Sequence, residues 1–177
     1  GYYRKDEATR AAIDEDGWFH TGDAGYLKNG ELFLTDRIKD LFKTSNGKYI
    51  APQMIESKLV VDRYIDQIVV IADQRKFVSA LIVPEYNLLK DFAERHHINK
   101  MLLFRINTLQ QEFAHYEQVK RITLLPEPFS MEKGELTNTL KVKRPVVNRN
   151  YAAEIEAMYV EDTPPEVPCP PPVTPSV

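Results

Sequence analysis

The chain has 177 residues, 43% hydrophobic and 28% charged, the composition of an ordinary globular protein with room for one domain and part of another. A formal net charge of −3 gives no general reason to bind nucleic acid or an anionic membrane, and no apolar run approaches the roughly 20 residues of a membrane-spanning helix. Cys169 is the single cysteine, which excludes an internal disulfide and favours a reducing compartment, the cytoplasm, with peripheral membrane contact left open.

Residues 1–35 are predicted to be the edge of a larger domain. Two strand-like segments, 24–28 and 31–35, flank Asn29-Gly30, a dipeptide that favours a type I′ hairpin turn because both positions tolerate positive φ. A single hairpin has too little surface to be stable alone. We therefore expect this segment to complete a sheet whose other strands belong to a preceding N-terminal domain.

A second domain is predicted over residues 36–160, where short strands are mixed with helices. Pro52 suits the first turn of a helix whose apolar face would comprise Ile55, Leu59 and Val60. The other expected elements are a polar loop at 43–48, strands at 67–72 and 77–83, helices at 87–97 and 100–116, a strand at 119–125 and a helix at 146–159. This pattern indicates a small α+β domain with a short mixed or antiparallel sheet packed by helices.

Residues 161–177 are predicted to form an extended tail. Seven of the chain's twelve prolines fall between positions 163 and 177, and this stretch has no aromatic residue. Proline at this density does not support a helix. The predicted division of the chain is therefore 1–35, 36–160 and 161–177.

Two charged side chains near the predicted hairpin are candidates for holding a nucleotide. Gly22 permits a tight backbone, and the Asp23 carboxylate can accept hydrogen bonds from the vicinal hydroxyls of a ribose. Arg37 offers a rigid fork suited to hydroxyls and phosphates, and its position after the second strand would put it beside Asp23. Taken alone, each motif also fits an ordinary Gly-Asp turn or a solvated charged loop.

Two further segments could contact phosphates. Gly47 lets the backbone lie close to a narrow ligand, and Lys43 or Lys48 beside it could neutralise phosphate charge, although no Walker lysine pattern marks a P-loop. Lys141 and Lys143 belong to a group of three cations within four residues. One of these lysines, placed over an active site, could neutralise a carboxylate and a phosphate together, while the plainer interpretation is a basic surface.

Neither a metal site nor a nucleophilic triad is predicted. His96 and His97 are adjacent, so on a helix they would point about 100° apart, and no cysteine or histidine partners stand at ligand spacing. No serine, histidine and aspartate can be placed together from their order in the chain. The chemistry suggested by the sequence is therefore the binding of phosphate, ribose and carboxylate groups.

In their order and spacing these motifs resemble the adenylate-forming superfamily, which includes acyl-CoA synthetases and the adenylation domains of peptide synthetases. The motifs are Asp-Gly-Trp-Phe-His-Thr-Gly-Asp at 16–23, Asp-Arg-Ile-Lys-Asp at 36–40, Gly-Lys-Tyr-Ile-Ala-Pro at 47–52 and a late lysine. The similarity covers about residues 1–160. The continuation Leu-Phe-Lys-Thr and the ending Leu-Lys-Val-Lys-Arg look most like long-chain fatty acid CoA ligases.

The resemblance implies a two-step reaction. In this family a fatty carboxylate attacks the α-phosphorus of Mg-ATP, giving acyl-AMP and pyrophosphate, and the thiol of CoA then expels AMP to form acyl-CoA. The implied substrates and cofactors are fatty acid, ATP, CoA and Mg²⁺. The family's phosphate loop, acyl pocket and Mg-binding glutamate lie in an N-terminal domain that these 177 residues do not include, so the chain alone is expected to be inactive.

The resemblance also implies a role for each candidate residue. Asp23 and Arg37 match residues that bind the ribose of ATP; Lys39 falls at the hinge of the small C-terminal domain; Gly47, with Lys48 beside it, lines the tunnel for the pantetheine of CoA; and Lys141 contacts the substrate carboxylate and α-phosphate. Two departures affect the last of these. Leu140 stands where the family commonly has glycine, and Asn138 where long-chain ligases commonly have proline, so the choice between Lys141 and Lys143 stays open.

Two other functions remain open at this stage. One is a different adenylate-forming enzyme, acting on aryl or medium-chain acids or loading a carrier protein; the long segment 86–118 between strands favours the long-chain group instead. The other is a non-catalytic module that binds CoA or a partner protein.

Overall fold

The chain divides between Leu41 and Phe42 into two compact units. The computed structural model describes residues 1–89 and 95–160. The first unit contains helix α1 (Asp6–Ala12), strands β1 (Asp23–Lys28) and β2 (Glu31–Arg37), and a short 3-10 helix (Ile38–Asp40). The predicted tail at 161–177 lies outside the described residues.

The predicted hairpin is confirmed. β1 and β2 pair antiparallel, and both turn residues, Asn29 and Gly30, have positive φ values of 53° and 83°, as a type I′ turn requires. Tyr26 stacks on Phe33 with ring centroids 5.3 Å apart, and the next cross-strand pair, Leu27 with Leu32, faces the opposite side. All four side chains are exposed, so both faces of the hairpin present apolar surface.

The second unit has nine helices and strands among the residues that the structure describes. They are β3 (Phe42–Lys43), β4 (Tyr49–Ile50), α2 (Pro52–Leu59), β5 (Ile65–Ile71), β6 (Val78–Pro84), α3 (Arg95–Leu109), β7 (Val119–Leu124), α4 (Arg144–Asn150) and α5 (Ala152–Ala157). β3 and β4 form a small antiparallel hairpin. β5, β6 and β7 form a mixed sheet in which β5 runs antiparallel and β7 parallel to β6. The α+β prediction is confirmed.

Both faces of the mixed sheet are buried. Alternate residues of a strand point to opposite faces, so Ile68 and Val70 of β5 join a core with residues of α2 and α3. Val69 and Ile71, their neighbours in sequence, join a second core with residues of α4 and α5. Burial on both faces explains why β5 and β6 read as continuous apolar runs rather than as an alternating pattern.

The observed helices differ in detail from those predicted from the sequence. Val60 is exposed, because it lies one residue beyond α2 and is rotated away from the buried pair Ile55 and Leu59. The helix predicted to reach residue 116 ends at Leu109. The next residue is Gln110, whose buried side-chain amide bonds the backbone of Val119. The amide accepts from the Val119 N–H at 2.8 Å and donates to the Val119 carbonyl at 3.1 Å.

The helix predicted over 146–159 is two helices, α4 and α5, separated at Tyr151. This residue has φ −112° and ψ 28°, and its ring packs edge-on against Phe129 at 5.8 Å. The helix predicted over 87–97 falls partly on residues 90–94, outside the described residues, and positions 86–89 form turns. No helix in the described part of the chain is long and apolar enough to cross a bilayer.

Candidate functional site

Asp23 and Arg37 lie side by side in the first unit. They are cross-strand partners in the hairpin, and Arg37 Nε lies 3.3 Å from Asp23 Oδ1. Two hydrogen bonds fix the backbone just before Asp23. The Asp23 N–H donates to Thr21 Oγ1 at 3.1 Å, and the Ile38 N–H donates to the Gly22 carbonyl at 2.8 Å. The Arg37 and Asp23 side chains are 57% and 28% exposed, so both the guanidinium and the carboxylate are accessible to solvent.

Lys39 occupies the middle of the 3-10 helix that ends the first unit. Its side chain is exposed, and the Leu41 N–H bonds the carbonyls of Arg37 and Ile38 at 3.2 and 3.3 Å, closing the helix just before the boundary. The hinge role implied by the family resemblance stays a prediction.

Gly47 and Lys48 lie on the tight loop that joins β3 to β4. The Gly47 N–H donates to the Thr44 carbonyl at 2.9 Å, and the buried Thr44 hydroxyl accepts from the Lys48 N–H at 3.1 Å. Gly47 has φ +76°, and a Cβ built there would meet no atom within 4 Å. Its requirement for glycine is therefore conformational, and the open space above it leaves the backbone accessible. Lys48 Nζ lies 5.6 Å from the centre of the Tyr116 ring.

Lys141 lies on a second tight loop, between Leu136 and Val142, which form a β-bridge. Thr137 closes the loop: its N–H donates to the Lys141 carbonyl at 2.8 Å, and its hydroxyl accepts from the Lys141 N–H at 3.0 Å. The Lys141 side chain is exposed at the end of this loop. Lys141 and Gly47 thus belong to different loops of the second unit.

The buried Glu135 holds the start of the Lys141 loop. Its carboxylate accepts from the Ser130 N–H and from the Asn150 side-chain amide, each at 3.1 Å, and its carbonyl accepts from the Lys143 N–H at 2.7 Å. Burial and the nearby Glu135 carboxylate raise the pKa of the Tyr151 phenol above its ordinary value. The loop is therefore tied to the junction between α4 and α5.

Arg144 holds the other end of the Lys141 loop through a partly buried ion pair with Glu56 of α2. The pair is bidentate, at 2.9 and 2.8 Å, and Glu56 also accepts from the Val70 N–H of β5 at 2.7 Å. The guanidinium carbon lies 5.2 Å from the centre of the Phe42 ring. Neither a role for Glu56 nor this pairing could be predicted from the sequence, because 88 positions separate the partners and no spacing rule connects them.

A cavity of about 320 Å³ adjoins the Lys141 loop. Its wall is mostly apolar and includes Leu140, Leu136 and Val142 of the loop, with Val60 just beyond α2 and Ile68 of β5. Leu140 is 67% exposed and has φ +58°. A leucine in this left-handed conformation is strained by about 1–2 kcal/mol. Glycine adopts this conformation without that cost.

We expect Leu140→Gly to stabilise the second unit by about 0.5–1 kcal/mol, since relief of the strain exceeds the added entropy of the unfolded chain. The urea midpoint of this chain measures the change. Leu140→Ala is the matched control, because it removes the same exposed side chain and keeps the Cβ. Equal destabilisation by both substitutions would contradict the strain argument.

Comparison with known proteins places these motifs in one family. Residues 39–163 match the family model of the AMP-binding enzyme C-terminal domain. The peroxisomal long-chain acyl-CoA synthetase 7 of Arabidopsis thaliana is 35% identical over 91% of this chain, and long-chain-fatty-acid–CoA ligase 5 of Rattus norvegicus is 36% identical over 90%. The chain spans about a quarter of the length of these relatives, 26% of each.

A solved structure leads to the same family. The A-PCP didomain of carboxylic acid reductase from Segniliparus rugosus, in complex with AMP, matches 91% of this chain and 23% of its own length, with 28% identity and a TM-score of 0.76. The match covers the small α+β unit described above. Sequence motifs, fold and relatives agree, and the chain belongs to the adenylate-forming AMP-binding enzymes, of which it holds the C-terminal domain.

Proposed function

We propose that the chain is the C-terminal part of an ATP-dependent long-chain fatty acid:CoA ligase. The observation that carries the proposal is the identity of about 35% to long-chain ligases of a plant and an animal over nine-tenths of the chain. The proposed enzyme converts a fatty acid, ATP and CoA into acyl-CoA, AMP and pyrophosphate. Because the chain spans a quarter of those relatives, the activity belongs to a longer protein that includes an N-terminal domain.

In this proposal the first unit contributes to the nucleotide site. The Asp23 carboxylate would accept hydrogen bonds from the two ribose hydroxyls of ATP, and Arg37, 3.3 Å away, would donate to the same sugar. The ion pair orients both groups before the ligand arrives, so less side-chain entropy is lost on binding. Mg²⁺ would accompany ATP. The described residues hold no cluster of three or more side chains that could bind it.

The second unit would serve the two chemical steps with different loops. A carboxylate is a poor acyl donor because its leaving group would be oxide, and transfer to AMP provides a better one. Lys141 would stabilise the charge that builds up as the carboxylate oxygen attacks the α-phosphorus. The exposed backbone at Gly47 would line the path of the CoA thiol, with Lys48 near its phosphates. Because these loops are separate, rotation about Lys39 would bring each to the nucleotide in turn.

The test is AMP release by the longer protein with ATP, CoA and a panel of carboxylic acids. We expect release that depends on both CoA and a long-chain acid such as palmitate or oleate, and none from these 177 residues alone. AMP release with other acids only would contradict the long-chain substrate but would still support the adenylating mechanism. Acyl-CoA synthesis by the 177-residue chain alone would contradict the assignment of the phosphate loop to an N-terminal domain.

A second candidate is an adenylating enzyme that transfers the acyl group of acyl-AMP to an acceptor other than CoA. The structural similarity to an A-PCP didomain of a carboxylic acid reductase favours it. The same assay separates the two, because this candidate would form acyl-AMP and show no dependence of AMP release on CoA. The expected cytoplasmic location stays a prediction, and the name of the Arabidopsis relative describes that protein as peroxisomal.

A further inference from the structure

The Gly47 loop is hydrogen-bonded to the turn between β5 and β6. Each of the four turn residues, 73–76, makes one bond to the loop or to Lys43, the last residue of β3 before it. The bonds are Lys43 N–H to Asp73 Oδ1 at 3.4 Å, Gln74 N–H to the Lys43 carbonyl at 2.9 Å, Ser45 N–H to the Arg75 carbonyl at 3.0 Å and Asn46 Nδ2 to the Lys76 carbonyl at 3.5 Å. The position of the turn therefore sets the position of the loop.

The backbone of this turn is strained. Gln74 has φ +57°, a conformation that costs a residue with a side chain about 1 kcal/mol or more. Strain of this kind persists only where surrounding contacts hold the backbone in place. Contacts outside the turn must therefore fix it.

Arg75 supplies those contacts by joining the turn to α5. Its guanidinium bonds both oxygens of Glu156, with Nη1 3.0 Å from Oε2, and its carbon lies 4.8 Å from the centre of the Tyr159 ring. The hydrogen bonds from Arg75 lower the pKa of the Glu156 carboxyl, so this pair is fully charged at neutral pH.

Tyr159 extends the connection into the sheet. Its hydroxyl lies 3.1 Å from the carbonyl oxygens of Ile71 and Phe77, the residues on either side of the 72–76 segment, and 2.6 Å from Ser79 Oγ. The Arg75 guanidinium thus packs on a ring that is itself fixed to both ends of the turn.

We propose that Arg75 is a positioning residue for the Gly47 loop, and that it acts through Glu156 and Tyr159 of the C-terminal segment. The inference rests on the proposed function, in which this loop receives CoA. Arg75 touches no substrate in this scheme. It keeps the loop in the one conformation that leaves the Gly47 backbone accessible to the pantetheine chain.

A positioning role differs from a general stabilising role in what it changes. Arg75 is 29% exposed and Glu156 63% exposed, and ion pairs of such exposure contribute little to global stability. Their loss would instead lower the fraction of molecules whose loop is correctly placed. If that fraction falls to about a fifth, the apparent affinity for CoA falls about fivefold. Adenylation, which uses Lys141 on the other loop, would not change.

The experiment compares Arg75→Ala, Glu156→Gln and the double variant in the longer protein. We expect each to raise KM for CoA about fivefold with acyl-AMP supplied, with no further loss in the double variant because the two residues act as a unit. Pyrophosphate release without CoA should keep its rate. Lys133→Ala is the matched control, since Lys133 and Glu127 form a similar pair, 43% and 68% exposed, with a separation of 2.5 Å. The control should leave both half-reactions unchanged.

Amide hydrogen exchange on the 177-residue chain gives a readout that needs no activity. Arg75→Ala should speed exchange at Ser45, while amides in the core of β6 keep their protection. Unchanged exchange at Ser45, or equal loss of both half-reactions, would overturn the positioning role of Arg75. If the longer protein forms no acyl-AMP with any acid, the proposed function and the CoA part of this inference fail together, and exchange alone decides whether Arg75 positions the loop.

Discussion

Replacing Lys141 with alanine in the longer protein is expected to slow acyl-AMP formation by about 10²–10³-fold, the usual cost of removing one group that stabilises charge in a transition state. The side chain is exposed at the end of a loop whose backbone is closed by Thr137, so its removal leaves the loop intact. Thioester formation from supplied acyl-AMP should keep most of its rate. Single-turnover assays of the two half-reactions measure both effects.

Lys143→Ala is the matched control for this experiment. Lys143 is also exposed, and its contribution to the loop is a backbone N–H bonded to Glu135, which alanine preserves. We expect this variant to adenylate normally. The reverse outcome, with Lys143→Ala impaired and Lys141→Ala active, would transfer the catalytic role to Lys143. Equal loss of both half-reactions in Lys141→Ala would remove the assignment to the first step.

The second large effect is expected from Glu56→Ala, which should destabilise the second unit by about 2–4 kcal/mol. The substitution leaves the Arg144 guanidinium, 20% exposed, without its bidentate partner and removes the acceptor of the Val70 N–H. Loss of one partner from a buried pair costs more than the pair contributed, because the remaining charge stays poorly solvated. The residual exposure of the pair places the expected value at the lower part of the range for buried pairs.

Urea unfolding of the 177-residue chain, monitored by far-UV circular dichroism, measures this loss. Glu112→Ala is the control: Glu112 is 62% exposed and pairs at 2.5 Å with Lys58 of α2, the helix that contains Glu56, so its removal should cost less than about 0.5 kcal/mol. Indistinguishable midpoints for the two variants would show that the Glu56 pair adds no more than a surface contact. A change in the slope of the unfolding transition would indicate altered compactness rather than stability.

Local sequence patterns were sufficient to predict the β1–β2 hairpin and α2. Asn29-Gly30 specifies a turn through the φ values that these two residues tolerate, and Pro52 starts a helix because it needs no N–H partner in the first turn. β5, β6 and β7 were each predicted to within about two residues. β5 and β6 are rich in apolar residues and are joined by a charged turn, and β7, which also contains Lys120 and Arg121, is closely followed by Pro126. Where the determining interaction is local, the pattern of the sequence is enough.

Other features depend on contacts between residues far apart in the chain. Gln110 ends α3 because its side chain bonds β7, and Tyr151 interrupts the terminal helix where its ring packs against Phe129. No local pattern indicates either contact. In the candidate site, Asp23 lies opposite Arg37 because the register shifts by one residue between Ala24 and Gly25; the register set at the turn would pair it with Asp36. Glu56, Arg75 and Glu156 take their positions from tertiary contacts alone.

The mixed sheet has a consequence for the order in which the second unit folds. β5 and β6 are joined by a short turn, so their antiparallel pairing closes a small loop, whereas β7 reaches β6 only after residues 85–118 have been enclosed. Each doubling of loop length adds about 0.6 kcal/mol of closure entropy, and non-local pairing forms more slowly. We therefore expect docking of β7, with Val119 held by Gln110, to limit the folding rate, and the β5–β6 hairpin to be the part of the sheet that a growing chain forms first.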